Sequence, residues 1–441
     1  MAAPLFPHAA VCSPHYLASS AGLAVLASGG NAVDAAVATN LVLAVVYPHM
    51  CGLGGDLFAM VWADGDPSRD LRAGLSGLNS SGRLPAGAKL EGETVPRTGI
   101  ASATVPGAVA GWMALLERYG TRSLQELARP AIRLAREGCP RAPGLARITS
   151  LMSGLLERDE DARRIFLAEG SLVQEDLAST LEEIDTFYEG PVGQHAPEPF
   201  SPADFAEHSA EWVEPMRAKW RGLEVCEMPP NSRGHLTLRM LEALEPLDGL
   251  TPDDAEWHRR LIRAHDAVVS ASESGGDTIY LCVRDENGTA VSLSQSLSGA
   301  FGSGVVVPGT GVLLHNRAEY FKPEEYRGGA RPVHTLAPAM ALRDGAPHLI
   351  LGTMGGLSQL QVHLQLLCRI VIAGQDIAEA VAAPRWRIFP KMLCVEEGLP
   401  DLGAQPYPYP DLAGHAHAIL VEDGCLAVAF DPRSDGAAVG Y

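Results

Sequence analysis

The strongest constraint on the fold is a switch in character near residue 272. Before it the chain reads mostly as helices. Residues 17–28 form a helical pattern stopped by Gly29-Gly30, and Asn31 is placed to cap a second helix from Ala32 to about Val46, which Pro48 ends. Helical patterns recur at 109–119, 124–137, 234–244 and 257–269, with a polar, helical and peripheral stretch at 142–184. Short strands are expected at 57–62 and 224–228. After the polar break Ser272-Glu-Ser-Gly-Gly276 the pattern turns strand-like. Runs at 278–283 and 290–297 flank Asp285-Glu-Asn-Gly288, a hairpin signal. Further strands are expected at 305–307, 311–314, 339–342, 348–352, 418–422 and 426–430, and helices at 362–373 and 377–382. Strands and helices mix without a regular βαβ rhythm, which predicts a layered α+β arrangement rather than a doubly wound sheet.

Composition excludes several classes of function. The chain has 441 residues, enough to bury a large core, and its 46 % hydrophobic and 20 % charged content is globular. With 34 Lys+Arg against 53 Asp+Glu the net charge is −19, so no nucleic-acid partner is expected. The longest apolar run, 35–46, is interrupted by Thr39 and Asn40 and reads as a buried core helix, not a membrane span. The N-terminus lacks a signal-peptide pattern, and the eight cysteines include no Cys-x-x-Cys pair. The expectation is a reduced, cytoplasmic protein without metal, cofactor or membrane contact. The run Gly52-Leu-Gly-Gly55 hints at a phosphate loop but lacks the following Lys-Ser/Thr and the strand–loop–helix order.

Several strings, taken in order, carry a family resemblance. They are Leu-Ala-Ser-Gly-Gly-Asn-Ala-Val-Asp-Ala-Ala-Val-Ala (26–38), Pro-His-Met-Cys-Gly-Leu-Gly-Gly-Asp-Leu-Phe (48–58), Val-Pro-Gly-Ala-Val-Ala-Gly-Trp (105–112) and Met-Pro-Pro-Asn-Ser-Arg-Gly (228–234). The second half adds Phe-Gly-Ser-Gly-Val-Val-Val-Pro-Gly-Thr-Gly-Val-Leu-Leu (301–314), Gly-Thr-Met-Gly-Gly (352–356), Ala-Pro-Arg-Trp (383–386) and Asp-Pro-Arg-Ser-Asp-Gly (431–436). This collinear series resembles the γ-glutamyltransferase (γ-glutamyl transpeptidase) family. The resemblance implies an N-terminal-nucleophile hydrolase: a four-layer αββα sandwich, a single domain formed by two segments, that cuts its own chain before a threonine. Thr278 matches that threonine, so cleavage between Asp277 and Thr278 would leave segments 1–277 and 278–441, paired with each other. Alone, Thr278 would read as an ordinary strand threonine. The chemistry is coherent. A buried hydroxyl needs a base, and freeing the Thr278 amine supplies one on the same residue. The resemblance implies oxyanion donors at Gly355 and Gly356 and a hydroxyl partner for the nucleophile at Ser296.

The substrate-binding positions depart from the family. Arg83 lies near the expected carboxylate-binding arginine, but Ser81 falls at that position. Ser298 stands for an amide residue, Arg317 for a neutral or acidic one, Tyr320 for an ammonium-pairing aspartate that Glu319 can replace, and His334-Thr335 for a serine pair. An arginine where an ammonium should sit is repulsive, so a pocket with Arg83, Arg317 and His334 predicts a small anionic substrate lacking a free amine near the cleaved bond. The segment before Thr278 also looks shortened. The reading is an autoprocessing threonine hydrolase cleaving an amide or related acyl bond of a carboxylate-bearing substrate through an acyl-enzyme. Alternatives are a C–C bond hydrolase of natural-product biosynthesis, as in making 4-alkyl-proline precursors, a cephalosporin-acylase-like specificity, and an unprocessed, non-catalytic binding protein.

Overall fold

The computed structural model describes residues 2–65, 73–269, 277–389, 392–407 and 414–441; the polar break at 272–276 lies outside them. Two seven-stranded antiparallel sheets stack face to face. In the first, the strands run in the order Ala437–Gly440, Ala10–Ser13, Asp277–Arg284, Ala290–Ser298, Asp56–Ala63, Gly74–Ser80 and Glu211–Val213. In the second the order is Leu5–Phe6, Cys425–Ala429, Ala416–Glu422, Ala346–Thr353, Ala339–Arg343, Leu223–Glu227 and Met216–Trp220. Each sheet therefore interleaves strands from both sides of residue 277.

The alternation along Asp277–Arg284 shows how the layers form. Ile279, Leu281 and Val283 belong to the core between the first sheet and helices such as Ala32–Val46 and Ala108–Tyr119. Tyr280 and Cys282 instead join Phe58, Met340, Ile350 and Ile419 between the sheets. A strand buried on both faces must be apolar on both, and it is. The outer face of the second sheet packs against helices that include Ala255–Asp266 and Ser358–Leu367. The result is the expected αββα sandwich. The period of two puts Thr278 on the Tyr280 face, toward the second sheet.

Local chemistry explains the strongest elements. Asn31 accepts from the amides of Val33 and Asp34, and Asp34 accepts from the Asn31 amide, a complete capping box for Ala32–Val46, whose residues are all buried. The Asp285 turn closes the hairpin with Gly288 donating to the Asp285 carbonyl at 3.1 Å. Asp285 Oδ2 also accepts from the Ala32 amide at 2.9 Å, tying the hairpin to that helix. The stretch 142–184 departs from expectation: its short helices carry Leu145, Leu156, Ile165 and Phe166 into the main core and are not merely peripheral. No helix among the described residues is long and apolar enough to cross a membrane.

Two glycine positions are dictated by close approach. A Cβ on Gly55 would lie 2.3 Å from the Ser296 carbonyl oxygen, so the Gly-rich turn at 51–55 is packed against a strand neighbour and does not open as a phosphate cradle. A Cβ on Gly352 would lie 2.3 Å from two ring carbons of Tyr280. That ring is fully buried and its hydroxyl is held by Ser292 Oγ at 2.9 Å, so it has nowhere to go. Gly352→Ala is expected to destabilise the fold by about 2–3 kcal/mol, read as a lower denaturation midpoint at unchanged m-value.

Candidate active site

Thr278 sits second in its strand, 1 % exposed. The ladder slips there: Asp277 pairs with Ser298 and Ile279 with Gln295, so Thr278 opposes Ser296 and Leu297 together. Such a bulge re-aims a side chain. Its hydroxyl meets Gln359 Nε2 at 3.5 Å. Gln359 belongs to the first turn of Ser358–Leu367, reached through Gly355 (φ +122°) and Gly356 (φ +59°) from the strand Ala346–Thr353. Both glycines hold backbone angles that other residues rarely adopt. The Gly355 carbonyl accepts from Ser358 N at 3.1 Å, Ser358 Oγ at 2.5 Å and Arg387 Nη2 at 3.4 Å. The Gly355 and Gly356 N–H groups donate to no described residue. They stand just ahead of the positive end of the helix whose Gln359 reaches the Thr278 hydroxyl, and amides so placed suit an anion.

Beneath Thr278 lies a buried polar layer. Ser296 Oγ accepts from Ser298 N at 2.7 Å and Arg317 Nη2 at 3.4 Å. Ser298 has φ +75°, a strained value for a residue with a Cβ, and its Oγ donates to Glu319 Oε1 at 3.2 Å. Arg317 is fully buried, donates to Thr335 Oγ1 at 3.3 Å and lies 4.9 Å over the Tyr320 ring. Asp56, the register partner of Ser296, accepts from the Gly82 amide at 3.1 Å and from His334 Nε2 at 2.9 Å. Burial pushes the Asp56 carboxyl up, but His315, His334 and Arg317 outweigh it and hold it at about 2. Burial, with Arg317 beside it, holds His334 at about 3. Glu319 is pushed up by burial, against the pull of Arg317 and of Arg97, whose Nε stands 3.3 Å from its carboxylate.

The structure thus brings together Thr278, Ser296, Ser298, Arg317, Thr335, Gly355, Gly356, Glu319 and Tyr320, but not in the roles the sequence implies for all of them. Neutral His334 uses both ring nitrogens internally, Nε2 on Asp56 and Nδ1 accepting from Leu336 N at 3.3 Å. Arg317 faces Ser296 and Thr335 rather than solvent, its charge answered by Asp56. Arg83 is exposed, donates to the Gly329 carbonyl at 3.2 Å and lines a separate cleft of about 330 Å³ with Glu211 and Arg331. Ser81 is absorbed in hydrogen bonds with Asn79 and Asn231. A cleft of about 310 Å³ is lined by residues that include Arg97, Met152, Leu155, Gly299, Glu319 and Arg387, the last of which also reaches the Gly355 carbonyl.

Sequence reasoning missed Asp56, Arg97, Gln359 and Arg387. Asp56 carried a signal: one acid between a glycine turn and an apolar run must be buried and paired. The others carried none, because their neighbours come from distant segments.

A family model described as gamma-glutamyltranspeptidase matches residues 18–265 and 249–441. The chain is 34 % identical to the glutathione hydrolase-like YwrD proenzyme of Bacillus subtilis (strain 168), with 98 % of each chain covered. It is 30 % identical to the oxamate amidohydrolase proenzyme of Klebsiella pneumoniae, again over 98 % of each. The crystal structure of cephalosporin acylase from Bacillus halodurans matches with a TM-score of 0.90 at 28 % identity, covering 100 % of this chain and 97 % of the other. The chain belongs to the gamma-glutamyltranspeptidase family and is an N-terminal-nucleophile hydrolase.

Proposed function

We propose that this protein cuts itself between Asp277 and Thr278 and then hydrolyses an amide of a small carboxylate-bearing acyl donor, with water as acceptor. The observation that carries the reading is the buried Thr278 hydroxyl, met by Gln359 of the helix that the Gly355-Gly356 turn leads into, a turn whose two amides donate to none of the described residues. In self-cleavage, Thr278 Oγ attacks the Asp277 carbonyl, the C–N bond breaks as the Oγ proton reaches the departing nitrogen, and water hydrolyses the resulting ester. The products are a carboxylate at Asp277 and a free amine on Thr278. That amine titrates near ~7.7–8.0, so at neutral pH it can take the Oγ proton in each later turnover. The attacked carbonyl oxygen is received by the Gly355 and Gly356 N–H groups, and Ser296 orients Thr278 from the neighbouring strand. Because both sheets interleave strands from 1–277 and 278–441, the two products stay paired.

An anionic donor is supported by the cleft's cations, Arg97 and Arg387, rather than by Arg83 or His334. Glu319, the acid in that lining, is already engaged by Arg97 and Ser298, so an incoming ammonium finds its counter-charge taken and Arg387 nearby. The names of the relatives, amidohydrolase and acylase, support an amide bond. Glutaryl-p-nitroanilide and γ-glutamyl-p-nitroanilide differ only by that ammonium. The glutaryl compound is expected to release p-nitroaniline with at least about tenfold higher kcat/KM, the worth of one unfavourable charge contact at a screened site. Equal or faster turnover of the γ-glutamyl compound contradicts the pocket reading.

A further inference from the structure

The helix Ser358–Leu367 carries three buried glutamines. Two of them are structural. Gln361 bonds both ways to the Ile388 backbone, donating at 3.1 Å and accepting at 2.8 Å. Gln365 does the same with Trp386, at 3.1 and 3.2 Å. Together they pin the strand Trp386–Phe389, and the residue between, Arg387, turns toward the Gly355 carbonyl.

Gln359 differs. It is fully buried, and its Oε1 accepts from the Ala337 amide at 3.2 Å. A backbone N–H can only donate, so this bond fixes which way the side-chain amide faces. Nε2 must then point at Thr278 Oγ1, 3.5 Å away. In that orientation Gln359 can give a hydrogen bond to the hydroxyl but cannot take its proton.

We infer that Gln359 is a catalytic hydrogen-bond donor to Thr278 Oγ, acting in self-cleavage and in turnover alike. The inference rests on Thr278 being the attacking residue. The donor holds an oxygen lone pair in place and stabilises the negative charge that gathers on Oγ whenever it is freed of its proton or leaves an acyl group. The proton itself must go elsewhere, in keeping with an amine base on Thr278.

Self-cleavage tests this without knowledge of the substrate. The full chain is made by cell-free synthesis, and the uncut fraction is followed by intact mass. Gln359→Met keeps the volume but removes both the donor to Thr278 and the acceptor of the Ala337 amide; it is expected to slow cutting roughly ten- to a hundredfold and to lower the melting temperature by a few degrees. Gln359→Glu keeps the Ala337 bond, but a carboxyl donates only while protonated. Its cutting rate relative to wild type is expected to fall as pH rises. A Met variant that cuts at the wild-type rate overturns the inference. So does a Glu variant whose relative rate climbs with pH, because the residue would then be accepting the proton. Thr278→Ala separates the two levels of the argument: if it still cuts at the same bond, the nucleophile is misassigned whatever Gln359 does.

Discussion

Thr278→Ala is expected to leave the chain whole at 441 residues and to lower turnover by at least ~10⁴-fold. In the proposed mechanism both reactions use the same oxygen, and the neighbouring hydroxyl is not expected to replace it. Ser296 Oγ is held by Ser298 N and Arg317 Nη2. The fold should barely notice the change. The substitution removes one hydrogen bond, from Gln359, and a methyl and hydroxyl from a site that the bulge already sets apart, about 1–2 kcal/mol in all. SDS-PAGE and a melting curve check the two halves of the statement together: one band, and a transition close to the wild type's. Thr278→Ser, which keeps the hydroxyl, should still be cut.

A second large effect is expected in acid. Burial holds seven of the described histidines far below their ordinary value of 6.5: His15, His208, His258 and His415 at about 4, His334 and His417 at about 3, and His49 well down as well. Three of them show why in their geometry. His15 accepts at Nδ1 from Leu17 N, His334 from Leu336 N and His417 from Asp431 N. A protonated Nδ1 would face an N–H with another N–H. In the unfolded chain these rings take a proton below about 6.5, and in the folded chain they do not. Their stabilising contribution is therefore complete above that pH and is lost as the pH falls toward 4 and 3. At pH 5 each of these rings disfavours the folded state by on the order of 1–2 kcal/mol relative to pH 7, and all act in the same direction. Glu227, Asp285, Glu319 and Asp435, which burial pushes up, act in the opposite sense but by smaller shifts. Asp56, held at about 2, adds its loss only at lower pH. The melting temperature is expected to be level above pH 7 and to drop steeply below 6.5. A melting temperature unchanged from pH 7 to 4.5 contradicts this.

The sandwich was legible in the sequence where the period was clear. The hairpin on either side of Asp285 and the fully buried helix ending at Val46 stand in the structure within a residue or so of their expected bounds. Ala10–Ser13 and Gly74–Ser80 were not recognised as strands, because one is four residues long and the other is rich in glycine and serine. Helix Ser358–Leu367 was expected to begin only at 362. Its first turns alternate glutamine with apolar residues, and buried glutamines paired to a distant backbone look like solvated ones in sequence. The site was visible only as family motifs. Charge was the main source of error. Arg317 and His334 read as pocket cations, yet Asp56, 278 positions from His334, pairs with that histidine and answers the arginine's charge in the interior. Only tertiary structure reveals such a pairing.

The central claim is that Thr278 becomes an N-terminus by the chain's own action. Intact mass of the purified protein, with N-terminal sequencing of the smaller component, tests it directly. The prediction is two polypeptides of 277 and 164 residues that co-purify, the second beginning Thr-Ile-Tyr-Leu-Cys-Val. A single chain of 441 residues that stays whole through prolonged incubation, or a new N-terminus at any other residue, contradicts it.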